Sequence, residues 1–187
     1  MTYLSLLPAD IQDLLVRLPF RVGLYISESD QTGGDESAEA ERKALENIVT
    51  FYVEDTVKSE FAHEVMLVTL NNKEKWSDWA ADIDQVPDEC LQITYLLKDL
   101  IDPKEILAYK QNLIEVAIAI AQAYCELDEN TPAFTKIGAY FTVFLRKMQA
   151  IFGNEEDQLN DYLLNISPSE RAAIKRLSNN LDVQVRF

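Results

Sequence analysis

The chain has 187 residues, 32 of them acidic and 17 basic, for a formal net charge of −15. That sign repels phosphate backbones and anionic membranes, so nucleic-acid binding would need a basic patch that the sequence lacks; it suits cations and basic partner surfaces. Hydrophobic residues at 48%, with only 5 Gly and 6 Pro, exclude a loop-rich or all-β protein and point to one all-α domain over residues 1–187 with a substantial core.

No uninterrupted apolar run reaches the ~18–20 residues of a membrane span. The stretch Met1 to Asp10 lacks the basic start and long apolar run of a signal peptide. A cytoplasmic location is the expectation. Cys90 and Cys125 show no metal-type spacing, and they read as buried thiols of a reducing compartment or, where geometry allows, as a disulfide.

Proline is favoured in a first helical turn, so a first helix is expected near Pro8, with Asp10 suiting the helix dipole and Ile11, Leu14, Leu15 and Leu18 on its apolar face. Pro19 is expected to end it and to open a second helix from Phe20 to about Ser29, apolar nearly all round and therefore buried. Gly33 and Gly34 then break the chain, and acids crowd the start of a helix whose stripe is Leu45, Ile48, Val49 and Tyr52.

A helix is predicted over Ser59 to Leu70, with Phe61, Val65, Met66 and Val68 inward. Lys73 to Ile83 reads as a short helix carrying Trp76 and Trp79 on one side. Val86-Pro87-Asp88 opens the next, with Ile93, Leu96, Leu97 and Leu100 as its stripe. Asp102-Pro103 is an N-cap followed by a proline at the first helical position, starting a helix to about Cys125. Its second half alternates Ala with Ile. Alanine favours helix over strand and lets neighbours approach closely, so this is the expected central helix. A helix from about Pro132 to Phe152 and a short acidic one from Glu155 to Asn165 follow. Ser167-Pro168-Ser169-Glu170 has the form of a capping box and starts a last helix to about Ser178. The sum is a compact bundle of about eight or nine helices with two central apolar ones.

The sequence also echoes itself. Val22, Gly23, Leu24 and Ile26 align with Val116, Ala117, Ile118 and Ile120, and in each copy an apolar helix runs into an acidic turn and then an amphipathic helix. Repeat units of about 8–70 and 103–165 are the expectation. On residues 24–30 (Leu-Tyr-Ile-Ser-Glu-Ser-Asp) and 39–45 (Glu-Ala-Glu-Arg-Lys-Ala-Leu), with residues 116–123 as the second apolar helix, the chain resembles the TerB-like (tellurite-resistance protein B) helical family. The resemblance implies an all-α fold, a cation site in the acidic turn, and a stress-linked or membrane-peripheral setting. Residues 31–38 look like an enlarged turn, and Tyr124-Cys125-Glu126 stands where the family would often have Asp-Gly.

Four carboxylates, Asp30, Asp35, Glu39 and Glu41, are the candidate ligands of a hard cation, Ca²⁺ or Mg²⁺, which prefers several oxygen donors. The turn fails the EF-hand pattern, because Thr32 and Gly34 occupy ligand places and Asp35 the glycine place. The alternative is a solvated turn whose acids start the next helix. Glu60-Phe61-Ala62-His63 matches half of a di-iron carboxylate pattern, but the chain has one His, which excludes the other half and weakens any histidine-based nucleophile. Trp76 and Trp79 are candidate anchors for a protein partner, or core residues. Three functions stay open: a non-enzymatic binding or scaffold protein whose acidic surface engages a cation or a protein partner, a divalent-metal-dependent enzyme using the Asp30–Glu41 turn, and a pure protein-interaction adaptor.

Overall fold

The computed structural model describes residues 2–29, 45–50, 53, 59–125 and 166–185, the side chains of 123–125 excepted. Every regular element among them is helical, and none of these helices is long and apolar enough to cross a membrane. After a 3₁₀ turn at Leu4–Leu6 come α1 (Ala9–Ser27), a helical stretch at residues 45–50, α2 (Glu60–Asn71), α3 (Trp76–Trp79), α4 (Val86–Leu96), α5 (Pro103–Cys125) and α6 (Pro168–Leu181).

The centre is the pair α1 and α5. Residues Leu113 to Ala121 of α5 are all buried, and α5 packs against α1, α2 and α6. Gly23 marks a close approach to both α5 and the 45–50 stretch: a Cβ built there would lie 2.3 Å from Leu45 Cδ1 and 3.4 Å from Ile120 Cγ1. Leu45, Ile48 and Val49 are buried, as their spacing predicts. On the other side of α1 lies α4, which also packs on α6. The second repeat unit expected over about 103–165 falls largely on residues 126–165, which lie outside the described residues together with the helices expected there.

Pro19 does not divide the chain. It sits inside the continuous 19-residue α1, where its missing N–H would leave the carbonyl of Leu15, four residues back, without a donor. Tyr109 on α5 donates its hydroxyl to that carbonyl at 2.8 Å. The Thr69 hydroxyl on α2 lies 2.5 Å from the next carbonyl, Val16 O. Hydroxyls from two neighbouring helices thus stand beside the proline, which is why a residue that breaks an isolated helix is tolerated here.

The helix expected over Lys73–Ile83 is corrected in the same way. It is a 3₁₀ turn at Lys73–Lys75, the four-residue α3, a left-handed Asp82 (φ 52°) and a second 3₁₀ turn at Ile83–Gln85. The carbonyls that would continue the helix point instead at Arg21. The stripe of α4 is also shifted. Val86, Cys90, Ile93 and Leu97 are buried, Leu96 is half-buried, and Leu100, beyond the end of the helix, is 50% exposed.

The predicted caps are present. Asp102 Oδ1 accepts from Lys104 N at 2.8 Å, and Ser167 and Glu170 form the reciprocal capping box of α6; a cap not expected from the sequence is Ser59, whose Oγ accepts from Ala62 N at 2.9 Å. α6 runs past Asn179 and Asn180 to Leu181 and ends on a left-handed Asp182. Asn180 is held by its amide, which donates to Pro87 O at 2.6 Å and ties α6 to α4.

Candidate binding surface

Two arginines one turn apart on α1 meet one carboxylate on α4. Arg17 Nη2 and Arg21 Nε each lie 2.8 Å from an oxygen of the buried Glu89. Arg21 also donates to the carbonyls of Trp79, Ala81 and Asp82, the last two at 2.6 and 3.0 Å. Arg21, only 4% exposed, therefore closes the end of α3 with its guanidinium and holds Asp82 in its turn. Asp13 lies 3.6 Å from Arg17, so two cations face two anions. Such a cluster positions α1, the 79–82 turn and α4, and its Arg21 and Glu89 side chains are both buried. Sequence reasoning missed it, although Arg17 and Arg21 at i and i+4 inside an apolar helix were the available signal.

Other polar groups also tie helices together, although Arg17 Nε and Asn112 Oδ1 are buried without a hydrogen-bond partner. Glu105, in the first turn of α5, accepts from Ser59 Oγ at 2.7 Å and from Phe61 N at 2.9 Å, placing its carboxylate at the start of α2 where the helix dipole favours it. Burial pushes the Cys90 thiol well above its ordinary range, with Glu89 acting the same way and Arg21 opposing. That keeps it protonated and unreactive at neutral pH. Cys90 is a free thiol, and the side chain of Cys125 lies outside the described residues. Loss of water pulls the Lys110 ammonium below its ordinary range, against the pull of Asp182. His63 is half-buried, with Nε2 3.1 Å from Val53 O.

The four candidate cation ligands, Asp30, Asp35, Glu39 and Glu41, lie outside the described residues. Among the described residues no group of three or more His, Cys, Asp or Glu side chains converges as a metal site. Trp76 and Trp79 are brought together, but inward: they are 5% and 8% exposed. Phe20 stacks on Trp76 at 4.6 Å between ring centres and lies 6.5 Å from Trp79. Trp76 Nε1 donates to Thr69 O at 3.2 Å. Their observed contacts are those of core residues.

The exposed apolar surface lies elsewhere. The inner face of α4 is used by Val86, Cys90, Ile93 and the turn residue Leu97. Asp88, Leu91, Gln92 and Tyr95 stand at i, i+3, i+4 and i+7 on the outer face, and all are exposed. Leu91 is 38% and Tyr95 71% exposed. Single exposed apolar residues are ordinary on protein surfaces. Two on one stripe one turn apart, with Leu100 following, are less so. Residues 78–102 also carry six exposed aspartates and a single exposed lysine, Lys98. The sequence signal was the stretch Leu91-Gln-Ile-Thr-Tyr-Leu-Leu97, which holds more apolar residues than one buried face of a helix can use.

No protein-family model matches the chain, and no curated protein and no solved structure is significantly similar to it.

Proposed function

We propose that the chain is a non-enzymatic binding module, of the kind its TerB-like resemblance implies, whose acidic surface receives a basic protein partner. The observation that carries this reading is the placement of Leu91 and Tyr95 outside the fold, within a surface segment of six exposed aspartates and one lysine. Interfaces enrich aromatic and large apolar side chains, and here two of them share one exposed stripe. Arg21, Glu89 and Glu105, which chemistry would need accessible, are engaged in holding helices together.

The test is fluorescence anisotropy of a labelled amphipathic Leu–Lys helical peptide titrated with the full chain. Binding that weakens as salt rises, with no binding of the matching Leu–Glu peptide, is the expected result. Equal binding of the two peptides, or binding of neither, overturns the reading.

A further inference from the structure

Resting on that reading, we infer that the outer face of α4 is the docking ridge, and that its occupant is a basic amphipathic helix of another protein. The inner face of α4 is committed to α1 and α6, so the orientation of the outer face is fixed by the core and by Arg17 and Arg21 holding Glu89. Glu89 is thereby withdrawn inward, while its neighbour Asp88 stays at the surface. The outer stripe then reads, along the helix, an acid at Asp88, apolar Leu91, neutral Gln92 and aromatic Tyr95, and exposed Asp84 and Asp99 stand in the turns just before and just after α4. Apolar contact lies toward the C-terminal half of the stripe, with negative charge at its start and in the turns that flank the helix.

That pattern selects its complement. From Asp88 to Tyr95 the stripe spans seven helical steps, about 10 Å at 1.5 Å per residue. A partner helix of about three turns covers it, with apolar residues over Leu91 and Tyr95 and Lys or Arg toward the flanking aspartates. A second copy of this chain is a poor occupant. Each copy carries −15, and self-pairing of the stripe would set like charges opposite each other. The area is small, so the contact is a weak, fast-exchanging one whose association rate depends on salt.

The experiment uses the full-length chain, the Leu–Lys helical peptide, and a scrambled peptide of the same composition with no apolar stripe. Leu91→Ser with Tyr95→Ser is expected to weaken binding of the ordered peptide by about tenfold or more, as loss of an apolar anchor does. Asp88→Asn with Asp99→Asn is expected to weaken it by a few-fold and to flatten its salt dependence. All four positions are exposed, and an unchanged thermal midpoint confirms that the variants fold. Three outcomes overturn the docking ridge. One is ordered-peptide binding unaffected by either pair of substitutions, which leaves a partner-binding module with its site elsewhere. The second is equal binding of the scrambled peptide. The third is sedimentation showing a dimer that the Leu91 and Tyr95 changes dissolve. Failure of the parent chain to bind either Leu–Lys peptide instead removes the broader reading as well.

Discussion

The Tyr109 hydroxyl and the Leu15 carbonyl are 2.8 Å apart, in the place where the N–H of residue 19 would stand if it were not a proline. The pair joins the two central helices at the point where α1 would otherwise be weakest. Tyr109→Phe leaves a buried carbonyl without a donor, and the expected cost is about 1–3 kcal/mol in urea unfolding. Pro19→Ala restores the missing N–H, so the tyrosine substitution should cost about 1 kcal/mol less in that background. Equal costs in both backgrounds would show that the hydroxyl does not substitute for the proline's missing donor.

Breaking the ionic cluster on one side strands a buried charge. Glu89→Ala should destabilise by about 3–5 kcal/mol, because Arg21 keeps its cation with no counter-charge in a dry site. Glu46→Ala removes the partner of Lys73 in a pair whose side chains are 45% and 41% exposed, and it should cost no more than about 1 kcal/mol. Denaturant midpoints of the two variants, measured with and without added salt, separate the cases: the surface pair is salt-sensitive and the buried one is not.

Alkaline pH should unfold the protein ahead of general deprotonation. Burial holds Tyr109 and Cys90 well above their ordinary values. Both are neutral when protonated, so as pH rises the unfolded chain releases these protons first. The stabilisation they give is fully present below about pH 8 and falls progressively as pH rises, above about pH 8.5 for Cys90 and above about pH 10 for Tyr109, with a slope approaching about 1.4 kcal/mol per pH unit for each group. Lys110 acts in the opposite sense, since its lowered value makes the unfolded chain hold the extra proton, and the charge of Asp182 reduces that shift. Thermal midpoints between about pH 7 and about pH 10.5 should fall, and Tyr109→Phe combined with Cys90→Ala should flatten the fall. An unchanged slope in that double variant would assign the alkaline transition to other groups.

The TerB-like resemblance implies a cation held by the Asp30–Glu41 turn. A ligand that binds only the folded chain stabilises it by about 2.7 kcal/mol at a hundredfold excess over Kd. Millimolar Ca²⁺ or Mg²⁺ should then raise the thermal midpoint, and Asp30→Asn with Asp35→Asn should abolish the rise. A midpoint indifferent to both ions removes the cation role, as does a rise that survives the double substitution.

Much of the fold was legible because it is local. The capping box at Ser167 and Glu170, the Asp102-Pro103 start and the buried stripe Leu45, Ile48, Val49 depend on residues a few positions apart, and helical periodicity brings those together in any helix. The candidate surface was half legible. Leu91 and Tyr95 could be read as surplus apolar residues, but not as exposed ones until α1 and α6 had claimed the opposite face of α4.

By itself the sequence determined the helical class, most of the helix starts and the acidic surface, since these follow from composition and short-range spacing. Only the tertiary structure decided that Pro19 lies inside a helix, because its missing donor is replaced by Tyr109 from ninety residues further along the chain. It alone broke the Trp76–Ile83 segment, by offering the carbonyls of Trp79, Ala81 and Asp82 a guanidinium from α1. It also turned the two tryptophans inward against Phe20 and left Tyr95 outside. In each case a local preference worth a few kcal/mol was overridden by a long-range partner that no local spacing encodes.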